Sequence, residues 1–145
     1  MPEKKAFEFL EHTADVYIAA YGVTLKEAFG NAALAMFEVM TDTRTVGFEV
    51  TDYVEVKAVD EPALLYSWLE DLLIKFDVDG KLYSKFDVEE IKRTPEGYLL
   101  EAKAWGEPYS PDKHPSRTEV KAVTYHQMEI FKEKNRVTIK FILDI

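Results

Sequence analysis

The sequence has no cysteine, one glutamine (Gln127) and two asparagines (Asn31 and Asn135) in 145 residues. Without cysteine there is no disulfide framework and no thiolate metal site. Thermolabile amides are scarce while 31% of residues are charged. That combination points to a thermophile source. No apolar run reaches the roughly 18 residues of a membrane span. The opening MPEKKAFEF has no apolar leader core, so a cytoplasmic protein without membrane partners is expected. Positive charge is also short. The net charge is −9, which disfavours direct tight binding to a nucleic-acid backbone and suits a basic partner or cations. There is no GxSxG elbow and no Gly-rich phosphate loop. With no cysteine nucleophile either, nucleophilic catalysis is not expected.

What is present is a core. Hydrophobic residues make up 47% and aromatics 13%, enough for one domain over residues 1–145. Val16 to Tyr21 reads as a strand closed by Gly22. Thr24 and Glu27 have capping-box spacing, and Leu25, Ala28, Phe29, Ala32, Met36 and Met40 follow at helical spacing. Val46 to Val59 is rich in β-formers and is expected to hold one or two strands. Asp60 and Pro62 open a second helix, Glu61 to Phe76, with a broad apolar face. Asp77 to Gly80 reads as a turn. Strands near 82–92 and 98–105 flank a type I turn at Thr94 to Gly97. Gly106 to Pro115 holds three prolines and is expected to be irregular. Thr118 to His126 fits strand or short helix. Met128 to Lys132 and Val137 to Leu143 form a closing hairpin around Lys134 and Asn135. The sum is an α+β fold: one layered domain of mixed or antiparallel β-sheet with two long helices.

Four groups of residues bear on chemistry. In the last strand Asp144 shares a face with Thr138, Lys140 and Ile142, next to the α-carboxylate of Ile145. Asp15 sits just before the first strand. If the first and last strands pair antiparallel, Asp15, Asp144 and the Ile145 carboxylate converge. A parallel pairing parts them by roughly 20 Å. Converging carboxylates repel unless a proton or cation intervenes, and oxygen ligands select Ca²⁺, Mg²⁺ or Mn²⁺ over Zn²⁺. On pattern alone, a turn residue and a solvated strand end is the commoner explanation. The stretch DVDGKLYSKFDVEE fails as an EF-hand loop, because Lys75 and Phe86 would fall at ligand positions one and twelve. His12, His114 and His126 lack close metal-ligand spacing, which leaves hydrogen bonding as their expected role. Tyr109, Lys113 and His114 cluster in the proline-rich loop, where either binding residues or an ordinary rigid surface is expected.

The sequence resembles the archease family. The resemblance is carried by EHTADVYIAAYGVTLKEAFGNAALAMFEVMTD (11–42), LLYSWLEDLLIKFD (64–77), GEPYSPDKHPSRTEVKAVTYHQMEI (106–130) and ILDI (142–145), in order along the chain. The strands at about 46–59 and 82–104 carry no such motif. The resemblance implies an accessory protein of an RtcB-type tRNA-splicing RNA ligase. Such a protein promotes the guanylylation of the ligase from GTP and its multiple turnover, and broadens its nucleotide use. It also implies a bound divalent cation, with Ca²⁺ first and Mg²⁺ or Mn²⁺ next, on Asp15, Asp144 and the Ile145 terminus. Tyr109, Lys113, His114 and His126 are the partner-binding candidates. The alternative that it implies is a chaperone-like modulator of a tRNA cytosine methyltransferase.

Overall fold

The structure, a computed structural model, describes residues 5–12 and 14–145. Met1 to Lys4, part of the stretch read above for a leader, lie outside the described residues, as does Thr13. Strands β1 (Phe7–Leu10) and β2 (Val16–Gly22) form a hairpin that leads into helix α1 (Leu25–Met40). As the sequence indicates, Thr24 caps α1: its hydroxyl accepts the Glu27 N–H, while the Glu27 carboxylate accepts the Val23 N–H. A single 3₁₀ turn (Thr43–Thr45) and strand β3 (Val50–Ala58) follow. Helix α2 (Glu61–Asp79) starts on the Asp60 cap, whose side chain accepts the Ala63 N–H. Two long strands, β4 (Lys81–Thr94) and β5 (Gly97–Pro108), come next. The chain closes with β6 (Ala122–Val123), β7 (Glu129–Glu133) and β8 (Arg136–Asp144).

The strands form two sheets, with every pairing antiparallel. One has the order β1-β2-β8-β6, with β7 also on β8; the other is β3-β5-β4. Helix α1 packs on β2 and β8 of the first sheet and on β4 of the second. Helix α2 packs on β3 and β5 and reaches β6. The helices therefore lie between the sheets. This explains why α1 buries Ala28, Phe29, Ala32, Ala33, Ala35, Met36, Phe37, Val39 and Met40, far more than a one-sided stripe. Its alanines let the neighbouring backbones approach. The buried Trp68 of α2 ties the helices together, donating its indole N–H to the Phe29 carbonyl at 2.9 Å. Across the second sheet the Tyr83 hydroxyl donates to Asp52, which also accepts from Lys81. Burial pushes the Tyr83 phenol well above its ordinary value, and the Asp52 carboxylate adds to that.

Two boundaries and one whole strand differ from the sequence reading. The expected turn at 77–80 is the end of α2, which runs to Asp79 and stops on Gly80 at φ 67°, where the Gly80 N–H bonds to the Phe76 carbonyl. The strand β5 continues through Gly106, Glu107 and Pro108, and irregular structure begins only at Tyr109. Gly106 fits because a Cβ there would lie 1.8 Å from the Leu82 carbonyl oxygen. Pro108 ends the strand opposite Lys81, where its missing N–H costs least. The third difference is β1, a strand that sequence periodicity had not marked.

Candidate functional site

The last strand lies beside the first long one. The β2–β8 register pairs Val16 with Leu143, Ile18 with Phe141 and Gly22 with Val137. One further step of that antiparallel register sets Asp15 against Asp144. Both aspartates therefore stand at one end of the first sheet, where Asp144 is exposed and the Asp15 side chain is 32% exposed. His12 joins them: its Nδ1 lies 4.0 Å from an Asp15 carboxylate oxygen, and its ring sits edge-on to Tyr17. On the other side of β8, Ala122 pairs with Asp144, and the Lys121 N–H donates to the Asp144 carbonyl at 2.8 Å.

The charged oxygen donors that Asp15 and Asp144 bring here are their side-chain carboxylates, and Ile145 follows next in the chain. Among the described residues no three His, Cys, Asp or Glu side chains gather as a metal site. A cation here would take the main-chain carboxylate as its third charged donor. Donors that are all oxygen fit a hard divalent ion. His12, His114 and His126 form no zinc cluster.

The proline-rich loop holds a different device, centred on a residue that sequence reading passed over. Glu107, at the end of β5, is 4% exposed. Its Oε2 accepts the Gly47 N–H at 2.8 Å and pairs with His114 Nε2 at 2.7 Å. Its Oε1 accepts from the Lys113 ammonium at 3.0 Å. Gly47 has to be small here, since a Cβ would come within 3.0 Å of Glu107 Oε1. The Gly47 N–H and then the Lys113 ammonium outweigh burial, and with His114 they hold the Glu107 carboxyl down at about 2.

His114 is 1% exposed. The Ser110 N–H donates to its Nδ1 at 2.9 Å, which leaves the ring proton on Nε2 to donate to Glu107. Its ring works inside the fold and offers no surface to a partner. Lys113 is half exposed, Tyr109 is 38% exposed, and His126 is exposed beyond β6. Tyr109 lies against Phe76 and His114, with its hydroxyl 3.1 Å from that of Ser116. The loop residues and the aspartates thus form two separate groups, joined by the segment that runs from His114 to Lys121.

Comparisons with known proteins identify the family and the fold. The family model of the Archease protein family matches residues 7–145. Protein archease of Sulfurisphaera tokodaii is 48% identical over 139 residues, covering 96% of this chain and 98% of the relative. Protein archease of Methanosarcina acetivorans is 47% identical over 146 residues, with all of both chains covered. Among solved structures, protein 1598 of Methanobacterium thermoautotrophicum superposes with a TM-score of 0.83 at 44% identity, covering 97% of this chain and 99% of that one. An archease from Thermotoga maritima, described as a possible chaperone, shares the fold with a TM-score of 0.62 at 17% identity, over 100% of this chain and 98% of its own. The match runs through both the aspartate tip and the proline-rich loop, and the chain belongs to the archease protein family.

Proposed function

We propose that this chain is a non-catalytic accessory protein of an RtcB-type RNA ligase in tRNA splicing, promoting guanylylation of the ligase and its multiple turnover. Family membership supplies the class of function. The observation that supports it most is the antiparallel β2–β8 pairing, whose register leads to Asp15 and Asp144 at the same end of the first sheet of an acidic molecule, with Ile145 next in the chain.

Such a tip is complementary to a basic, RNA-binding active site. Docking there favours the ligase geometry competent for nucleotidyl transfer, because a partner shifts an equilibrium by its differential affinity for the two states. Asp15, Asp144 and the Ile145 carboxylate would hold a divalent cation, Ca²⁺ first and Mg²⁺ or Mn²⁺ next. When bound, the ion offsets the mutual repulsion of the carboxylates. Tyr109, Lys113 and His126 supply partner contacts from the surface, while His114 acts through the shape of the loop.

The test is to mix the chain with an RtcB-type ligase, GTP and Mn²⁺ and follow ligase guanylylation over time. Faster guanylylation with the wild-type chain, lost with Asp144→Ala, is expected. No stimulation by the wild-type chain would refute the reading. Altered site choice by a tRNA cytosine methyltransferase in a parallel assay would then favour the chaperone-like alternative.

A further inference from the structure

Between Pro108 and Ala122 the chain crosses from the end of β5 to the edge of the other sheet with no helix or strand of its own. A segment without an internal hydrogen-bond ladder takes its course from the groups that pin it. At its start the Tyr109 N–H donates to the Gly80 carbonyl. The N–H groups of Lys113 and His114 then turn back onto the Ser110 carbonyl, and the His114 ring locks onto Glu107. Farther along, the Arg117 N–H donates to the Met40 carbonyl and the Thr118 N–H to the Val39 carbonyl. The Arg117 guanidinium takes the Glu38 carbonyl and carboxylate. Val120 is buried, and the Lys121 N–H holds the Asp144 carbonyl.

These pins have a direction. Helix α1 ends at Thr41 in extended backbone, with no glycine cap, and the strap supplies the partners for its last carbonyls. The strap is anchored at one end by a buried charged group and ends at the backbone of a tip aspartate. Among its anchors, the Glu107–His114 pair is a hydrogen-bonded side-chain network that is itself buried, and such networks fix a single geometry.

We propose that Glu107 and His114 are positioning residues for the carboxylate tip. They set the course of the strap whose far end holds Asp144 in place. This inference rests on the reading of the tip as a cation site.

The test uses the full chain, Ca²⁺ as probe, and two perturbations. Glu107→Gln removes the charge at the latch. Insertion of two glycines between the exposed Pro115 and Ser116 leaves the latch whole and slackens the strap. Calorimetry should find Ca²⁺ affinity weakened roughly 10-fold or more in both, as for lost outer-shell support of a metal site. Amide exchange at Lys121 should accelerate by about the same factor in both, reporting the strap without reference to metal. Trp68→Phe, which weakens the core away from the strap, should lower the melting midpoint and leave Ca²⁺ affinity unchanged. If Asp144→Ala loses Ca²⁺ while both strap variants keep wild-type affinity, the tip reading stands and the positioning role is overturned. Unaltered Lys121 exchange in both variants overturns it as well. If wild type and Asp144→Ala bind Ca²⁺ alike, the tip reading itself fails and takes this inference with it.

Discussion

Acid should remove the stability that the latch of the proline-rich loop contributes, and Glu107 sets the window. Its carboxyl is held down at about 2 in the fold, against 4.5 ordinarily. A depressed carboxyl contributes stability that is fully present above the ordinary value and is lost as pH falls through the folded one. The window therefore runs from about pH 4.5 down to about 2. The shift converts to about 3 kcal/mol at 1.36 kcal/mol per unit. Lys113, one of the groups that lowers it, has a side chain 53% exposed and screened by water, so about 2 kcal/mol is the better figure. In a chain of 145 residues that corresponds to about 4–8 °C in melting midpoint. Urea unfolding of wild type and Glu107→Gln, repeated from pH 7 to pH 2, measures it. The gap between them should be about 2 kcal/mol at neutral pH and should close across that window. No gap at neutral pH, or one that stays constant down to pH 2, refutes the assignment of the stabilising charge to Glu107.

Other outcomes follow from the same geometry. Asp15→Ala and Asp144→Ala should each weaken Ca²⁺ or Mn²⁺ binding by calorimetry, since each removes a charged oxygen donor; unchanged affinity in both would dismiss the tip as a cation site. Residues added after Ile145 should reduce stimulation of an RtcB-type ligase with the melting curve retained, and full stimulation would show the α-carboxylate to be dispensable. His114→Ala should cost about 2 kcal/mol or more of stability by leaving Glu107 Oε2 and the Ser110 N–H short of a partner, whereas Lys113→Ala should cost well under that because its ammonium reaches solvent; equal losses in thermal melts would contradict this division. Gel shifts with a broken tRNA half-pair at near-physiological salt should show no submicromolar binding by the isolated chain, given its net charge of −9, and tight binding there would turn the accessory reading into a direct RNA-binding one.

Much of the fold is local in origin and so was legible. The capping box at Thr24 and Glu27 and the cap at Asp60 mark helix starts through contacts three residues long, and the structure places both helices there. Period-two alternation in Val137 to Leu143 needs only the strand itself. Helix and strand ends were less legible because they depend on distant neighbours. Asp77 to Asp79 favour a turn in isolation, but one more turn of helix brings the chain to Gly80, whose carbonyl is then taken by Tyr109. Gly106 and Pro108 are strand breakers by propensity, yet β4 lies so close to Gly106 that only glycine fits, and the ladder carries β5 past it. The division into two sheets is likewise a matter of partners, which no single strand encodes.

The tip and the latch differ in the same way. The convergence of Asp15 and Asp144 could be posed from the sequence as a choice between two strand orientations, because each aspartate adjoins a readable strand. The antiparallel β2–β8 ladder is the orientation that sets both at the same end of the sheet. Glu107 gave no such handle. A glutamate beside a proline, followed by a lysine and a histidine, looks like solvated surface, and the histidine looks like a binding group. Only when β5 runs on to Pro108 and the chain doubles back at Ser110 do the Gly47 N–H, Lys113 and His114 close on one carboxylate. Gly47 lies 60 residues away in sequence. The general lesson concerns desolvation: a carboxylate tolerates burial when several donors reach it at once, and donors from separate segments leave no spacing to read. In β5 the buried positions alternate as Leu100, Ala102, Ala104 and Gly106, so Glu107 falls where that alternation leads to solvent, and only the donors that close on it account for its burial.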